Sequence, residues 1–211
     1  MRLFILGGGG HGRVVSEAAL LSKKWKSIYL VDPKQDSELS GSGSQEKKIF
    51  YEKKDILETD VSFKEDYLFI GIGSSEIRSN LYRKNSELGA KFTNIIHPSA
   101  ILSKKIKVEE GSFFGPNCVV NTNTNIGICV IVNSAAVVEH DCEIGNFSHI
   151  APKATVAGGV KVGTNTHIGG NSFVNENLII GDNIIIGSGS VVPYNIVEKG
   201  TYVGNPAKKI K

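Results

Sequence analysis

The sequence predicts two successive architectures, a small α/β domain with a parallel sheet followed by a parallel β-helix built from hexapeptides. Two observations carry this. From Ile96 onward every sixth residue is large and apolar for seventeen consecutive positions, through Phe114, Val132, Ile150, Ile168 and Ile186 to Val192. A period of six is neither helical nor simple alternation, so it marks an internal repeat. Ahead of it, short apolar runs alternate with helical stretches, the order expected of a parallel sheet.

Residues 3–6 form the first apolar run, followed by Gly7-Gly8-Gly9-Gly10-His11-Gly12 and a helical stretch over 13–23. A second strand is expected over 27–31, ending at Asp32-Pro33. The Ser- and Gly-rich residues 37–44 read as a loop. A third strand over 67–72 runs into Gly73-Ser74-Ser75 and a helix over 76–88, and a last short strand over 91–95 leads into the repeat. The turn after the first strand fits GxGxxG through Gly7, Gly9 and Gly12, with an acidic residue, Asp32, about twenty positions on. In that setting backbone amides and a helix N-terminus cradle a diphosphate, and the carboxylate takes a ribose hydroxyl. The domain has room for about one mononucleotide-binding half, which favours a nucleotide or nucleotide-sugar over NAD. Phe50, Tyr51 and Lys34 are candidates to stack on or pair with a base.

In the repeat, each hexapeptide makes one short strand and one corner, and three close a coil of 18 residues, so seventeen hexads give five to six coils. Four places after each large residue the chain prefers a small one, such as Ser112, Cys118, Thr124, Ala136, Cys142 and Ser148. One place after it Gly recurs, at 115, 127, 145, 163, 169, 181 and 187, read as tolerance of tight backbone conformations. Domains are expected over 1–95 and 96–196, with a tail over 197–211.

Composition narrows the function classes. The net charge of +3 is too mild to imply nucleic acid, no apolar run approaches membrane-spanning length, and residues 3–6 are too short for a signal peptide. Cys118, Cys129 and Cys142 lack CxxC spacing and read as buried free thiols in a reducing compartment, with the cytoplasm as the default. Of the repeat's histidines, His149 and His167 are one coil apart and should stack, while His140 sits half a coil from His149 and should point outward. No pair has the five-residue spacing of the β-helical zinc enzymes, so no metal is expected. An outward imidazole flanked by Glu139 and Asp141 suits proton removal from an amine or hydroxyl attacking a thioester.

Several spaced motifs then point to a family. Residues 133–150, Asn-Ser-Ala-Ala-Val-Val-Glu-His-Asp-Cys-Glu-Ile-Gly-Asn-Phe-Ser-His-Ile, resemble the active-site stretch of the NeuD/PglD acetyltransferases. Gly-Gly-His11-Gly, Ile70-Gly-Ile-Gly73-Ser-Ser-Glu-Ile-Arg78, Ile96-His97-Pro98-Ser-Ala and Val203-Gly204-Asn205-Pro206-Ala207-Lys208 extend the likeness over almost the whole chain. The family comprises sialic acid O-acetyltransferases and N-acetyltransferases of nucleotide-linked 4-amino sugars. The resemblance implies a small Rossmann-like domain and a left-handed β-helix, acetyl-CoA as co-substrate, and a homotrimer with active sites between subunits. It further implies His140 as general base, Asp141 as its orienter and His149 beside the acetyl carbonyl. PglD-like sequences have Glu where this chain has Asp141, which leaves Glu139 a possible substitute. Asn133, Gly158, Gly170, Ser188 and Lys208 correspond to positions around CoA, and Gly10, His11, Asp32, Gly73 and Ser74 to nucleotide-sugar contacts. The expected reaction is N-acetylation of the 4-amino group of a nucleotide-linked deoxyamino sugar. O-acetylation of sialic acid or a related sugar, and a non-catalytic sugar-nucleotide scaffold, are the alternatives.

Overall fold

A computed structural model describes residues 1–33, 49–52 and 54–211. The loop reading at 37–44, Lys34 and the Tyr51 side chain lie outside the described residues. The chain divides into two units, Met1–Pro98 and Ser99–Lys211.

The first unit orders β1 (Arg2–Leu6), α1 (Gly10–Leu21), β2 (Ser27–Val31), β3 (Ile49–Glu52), a 3₁₀ turn (Ile56–Glu58), β4 (Tyr67–Ile70), α2 (Ser75–Glu87) and β5 (Lys91–Phe92). The strands form one parallel sheet in the order β3-β2-β1-β4-β5. Both faces are covered, so β1 and β4 are almost wholly apolar and buried: Leu3, Phe4, Ile5, Leu68, Phe69 and Ile70 are all inaccessible or nearly so. Two elements depart from the sequence reading. Strand β3 and the 3₁₀ turn were not expected, because Ile49–Glu52 is a short edge segment without alternation. Helix α1 begins at Gly10 rather than 13, since the Gly-rich run itself supplies the first helical turn.

The second unit is the left-handed parallel β-helix. Its first face stacks Ile101–Leu102, Val119–Val120, Val137–Val138, Thr155–Val156, Phe173–Val174 and Val191–Val192. The second stacks Lys107–Val108, Asn125–Ile126, Glu143–Ile144, Lys161–Val162 and Ile179–Ile180. The third contains Phe113–Phe114, Ile131–Val132, His149–Ile150, His167–Ile168 and Ile184–Ile186, and continues through Gly200–Val203 into an antiparallel Lys208–Lys209. From Ile101 to Val192 every paired rung sits 18 residues from its neighbour, as in Val120↔Val138 and Val138↔Val156; the last turn is two residues shorter, with Ile186 paired to Tyr202. The second residue of each rung points inward and stacks on its counterparts, and from Phe114 to Val192 these positions are buried. Leu102 and Val108 are only partly covered, as a first coil with one neighbour must be.

The small-residue slot does more than fit a crowded corner. Ser112, Thr124, Ser148 and Thr166 each donate a hydroxyl to a carbonyl 15 residues on, and each accepts the N–H 18 residues on. These buried bonds tie successive coils together where strand pairing is interrupted. Cys118 and Cys142 occupy the same slot, and all three cysteines are buried free thiols. Burial pushes the Cys118 thiol up to about 12.

The recurrent glycines differ from expectation. At Gly127, Gly145, Gly163, Gly169 and Gly181 the backbone is not left-handed; the next coil simply leaves no room. A Cβ on Gly145 would lie 2.5 Å from the Gly163 carbonyl carbon. The left-handed turns fall two residues later, at Asn117, Asn123, Asn165, Asn171, Asn177 and Asn183, with Cys129, Ala135, Asp141, Phe147 and Lys153 filling five successive corners between them and Gly taking those at 111, 159 and 189. Asn carries this conformation at little cost, whereas other side chains pay roughly 1–2 kcal/mol.

Gly145→Val is therefore expected to destabilise the helix by about 1–3 kcal/mol through overpacking. Lys153→Gly, at an exposed corner with φ 60°, should stay within about 1 kcal/mol of wild type, because relief of left-handed strain offsets the flexibility of glycine. Urea denaturation midpoints at one protein concentration check both.

Candidate functional site

In the first unit the chain reverses direction of sheet growth between β1 and β4, which opens a crevice beyond their carboxyl ends. Three glycines close the backbone tightly there. Gly7 has φ 107°, a Cβ on Gly12 would lie 1.9 Å from the Gly7 carbonyl oxygen, and one on Gly71 would lie 2.8 Å from Gly12 Cα. Gly9, Gly10 and Gly73 face open space, with nothing within 4 Å of an added Cβ. Gly9 caps α1 without a side-chain acceptor, and the first turn holds no acidic residue, so no side chain of that turn offsets the positive dipole at the Gly10 end. The Gly8 N–H donates to Asp32 Oδ2 at 2.9 Å, which fixes the carboxylate at the tip of β2. Ser74 caps α2 by accepting the Ile77 N–H.

A cavity of about 350 Å³ lies here, walled by Leu6, Val31, Asp32, Pro33, Ile56 and Ile72 among others. Its mainly apolar walls, joined by Asp32, Asp55 and Lys54, suit a planar base or sugar ring. Phe50 does not line it; its ring stacks on Tyr29 at 5.1 Å. Arg78 was not singled out as a site residue in the sequence reading, yet it is buried on α2 and its Nη1 donates to the Ile72 and Gly73 carbonyls at 3.0 and 2.9 Å. It holds the loop that presents Gly73. Its only signal in the sequence is an arginine within the motif that follows Gly73. Burial, and then the Arg78 charge, lower the His11 pKa to about 4, so this imidazole is neutral at pH 7.

On the β-helix, His140 stands at the corner between the first and second faces, with its side chain 58% exposed. Its Nδ1 lies 2.7 Å from Asp141 Oδ2, and the carboxylate's other oxygen accepts the Asn123 amide at 3.2 Å. Those two hydrogen bonds hold the Asp141 carboxyl below the usual carboxylate range. Glu139, the other flanking acid, accepts the Asn121 amide at 2.7 Å instead. Gly158, one coil on, lies against the imidazole: a Cβ there would be 2.6 Å from Cε1 and 2.8 Å from Nε2. With Nδ1–H given to Asp141, Nε2 carries the lone pair.

A second cluster occupies the third face and the corner after it. The Asn133 amide nitrogen is 3.1 Å from His149 Nε2, while its oxygen accepts the Ser134 N–H, so His149 Nε2 is the acceptor and its proton sits on Nδ1. The His149 and His167 rings meet edge to face at 4.8 Å. Gly170 and Ser188 stack on that corner, 3.9 Å apart between an added Cβ and Oγ. One prism therefore gathers His140, Asp141 and Gly158 on one edge, and Asn133, His149, Gly170 and Ser188 around another. Half a coil separates His140 from His149, so a single chain does not bring them together. Lys208 is exposed in the final antiparallel strand, which the Gly204 N–H anchors by donating to Ser190 Oγ at 3.1 Å. Among the described residues no three His, Cys, Asp or Glu side chains are grouped to hold a metal, and no helix is long and apolar enough to cross a membrane.

Comparison with known proteins sets this geometry in a family. Residues 2–85 match the PglD N-terminal domain, and residues 95–207 match the GMPPB C-terminal domain. The acetyltransferase domain of PglB from Neisseria gonorrhoeae, solved with acetyl coenzyme A, superimposes with a TM-score of 0.90 at 28% identity, covering 99% of this chain and 98% of that one. A histidine-to-asparagine variant of perosamine N-acetyltransferase from Caulobacter crescentus, solved with CoA and GDP-perosamine, gives 0.85 at 30% identity over 100% of this chain and 97% of that one. GDP-perosamine N-acetyltransferase from Escherichia coli O157:H7 is 31% identical over 99 residues, a match spanning 47% of this chain and 45% of that protein. With two distinct domains matched in order and the full length superimposed, the chain belongs to the NeuD/PglD family of hexapeptide-repeat sugar acetyltransferases.

Proposed function

We propose that the protein transfers the acetyl group of acetyl-CoA to the 4-amino group of a nucleotide-linked deoxyamino sugar. The observation that carries this reading is the pairing of His140 Nδ1 with Asp141 on an exposed edge, which leaves Nε2 as a neutral acceptor beside Gly158. The acceptor nitrogen forms its bond to the acetyl carbonyl carbon as its proton passes to His140 Nε2. The carbon–sulfur bond breaks, and CoA leaves as a thiolate that recovers the proton from the imidazolium. Asp141 holds the ring and stabilises that imidazolium. The Gly158 N–H and His149 face the thioester and its acetyl carbonyl, with Asn133 at the mouth of the site, and Gly170, Ser188 and Lys208 line the path of CoA. Full-length similarity to structures holding acetyl-CoA, or CoA with GDP-perosamine, supports both the co-substrate and the acceptor class.

The nucleotide-sugar binds the first unit. Its diphosphate meets the open Gly9–Gly10 helix start and Gly73–Ser74, Asp32 takes a ribose hydroxyl, and His11 acts as a neutral hydrogen-bonding group. The enzyme works in the cytoplasm, where acetyl-CoA and nucleotide-sugars are made.

Because the His140 and His149 clusters lie on different edges, a complete site needs a second copy, and we assign a homotrimer. The first face offers the surface for it. Its outward side chains, Ile101, Val119, Val137, Thr155, Phe173 and Val191, form an almost entirely apolar ladder, whereas the second face presents Lys107, Asn125, Glu143 and Lys161. Light scattering should report three chains, and Val137→Glu should yield monomers that retain β circular dichroism but lose turnover.

His140→Ala should lower kcat by about 10²–10⁴-fold with acetyl-CoA binding retained. Thiol release from acetyl-CoA with a panel of UDP-, GDP-, dTDP- and CMP-linked sugars tests the acceptor. Turnover only with hydroxyl acceptors would favour O-acetylation, and none with any acceptor would favour a scaffold. Near wild-type kcat in His140→Ala would overturn the mechanism.

Loss of the Asp32 carboxylate removes one charge-assisted hydrogen bond. Asp32→Ala should accordingly raise KM for the acceptor by roughly tenfold while KM for acetyl-CoA stays the same. Equal losses for both substrates would place Asp32 outside acceptor binding.

A further inference from the structure

We propose that Asn123 is a positioning residue that selects Asp141, rather than Glu139, as the partner of His140; this rests on the reading of His140 as the general base. Two acids, Glu139 and Asp141, flank this histidine in the chain. The choice is made by the coil beneath. The ladder register Val120↔Val138 and Ile126↔Ile144 places residues 121–124 directly under 139–142. Each acid then meets an asparagine amide 18 residues below it. The Asn121 amide takes Glu139 Oε2 at 2.7 Å and draws that carboxylate down the face, away from the imidazole. The Asn123 amide takes only Asp141 Oδ1, at 3.2 Å, so Oδ2 is turned to His140 Nδ1.

The backbone reinforces the selection. Asn123 and Asp141 share the left-handed conformation, both at φ 59°, so their side chains leave the two corners in parallel and meet. The turn carrying His140 is clamped at both ends by the buried Thr124, whose hydroxyl donates to the Glu139 carbonyl at 2.8 Å and accepts the Cys142 N–H at 3.3 Å. The Asp141 N–H donates to the Thr122 carbonyl at 3.0 Å. With the backbone of residues 139–142 held in this way, the orientation of the Asp141 carboxylate is set by its side-chain partners, and the Asn123 amide restrains its rotation. The shorter reach of Asp is thereby sufficient: the acid is aimed rather than extended.

The test uses Asn123→Gly, which keeps the left-handed corner without strain and deletes only the amide. In the full-length enzyme it is expected to lower kcat by roughly tenfold, the scale of one hydrogen bond to a charged group, with both KM values and the melting temperature nearly unchanged. In an Asp141→Asn background the same substitution should cost nothing further, since its effect runs through that carboxylate. Imidazole ¹⁵N spectra give a readout independent of turnover: the His140 signals should move from a single Nδ1–H tautomer toward a mixture in Asn123→Gly. An equal loss of kcat in both backgrounds, or unchanged kcat and ¹⁵N shifts in Asn123→Gly, overturns the proposal. The parent reading fails separately, through near wild-type kcat in His140→Ala, and the ¹⁵N measurement still decides the role of Asn123 in that case.

Discussion

The 18-residue coil is the constraint on which the second unit depends. Because no coil between 101 and 192 carries an insertion, every side chain there lies above the one 18 places earlier, and the parallel ladder keeps that registry until the last turn, which is two residues shorter. Burial of one large residue per hexad supplies the driving force, with a fully covered Val or Ile worth about 1.5–3 kcal/mol relative to exposure. The directional part comes from the buried hydroxyls of Ser112, Thr124, Ser148 and Thr166, each bonded to two backbone groups of the next coil. A chain that slipped by one residue would turn its interior outward and leave those hydroxyls unpaired inside.

The same registry assembles the chemistry. His140 lies over Thr122 and under Gly158, Asp141 over Asn123, His149 under His167, and Gly170 under Ser188. Close approach is possible only where no Cβ intervenes, which is why Gly158 stands against the His140 ring and why Gly145 and Gly163 stack directly. His140 and Asp141 project from a corner of the prism and His149 from the third face, so one chain carries them apart.

The first unit is organised around the Gly-rich turn that follows β1. Gly7, Gly12 and Gly71 bring helix and sheet close enough that the α1 N-terminus ends at the crevice, where Gly9 caps it without a side-chain hydrogen bond. Buried Arg78 contributes without reaching the open face: it binds two carbonyls of the β4–α2 loop, and its charge helps keep His11 neutral.

Much of this was legible in the chain before folding was considered. A strict period of six, with small residues at a constant offset, specifies coil length, interior and the burial of Cys118 and Cys142, because repeating local interactions need repeating residues. Period arithmetic alone placed His149 beside His167 and His140 on an outward corner. The resemblance of spaced motifs, rather than any periodicity, pointed to acetyl transfer. Other features needed the tertiary structure. The recurrent glycines were read as conformational, and they are steric, because what excludes a Cβ is the coil above. Helix α1 starts inside the glycine run, and β3 forms from a segment without alternation, since pairing with β2 overrides its weak local pattern. The choice between Glu139 and Asp141 belongs here too. Sequence neighbours are equivalent with respect to His140, and only the amides of Asn121 and Asn123, brought beneath them by registry and aimed by the backbone, distinguish the two. Local sequence sets what repeats; competition among side chains for partners is resolved only when the coils are stacked.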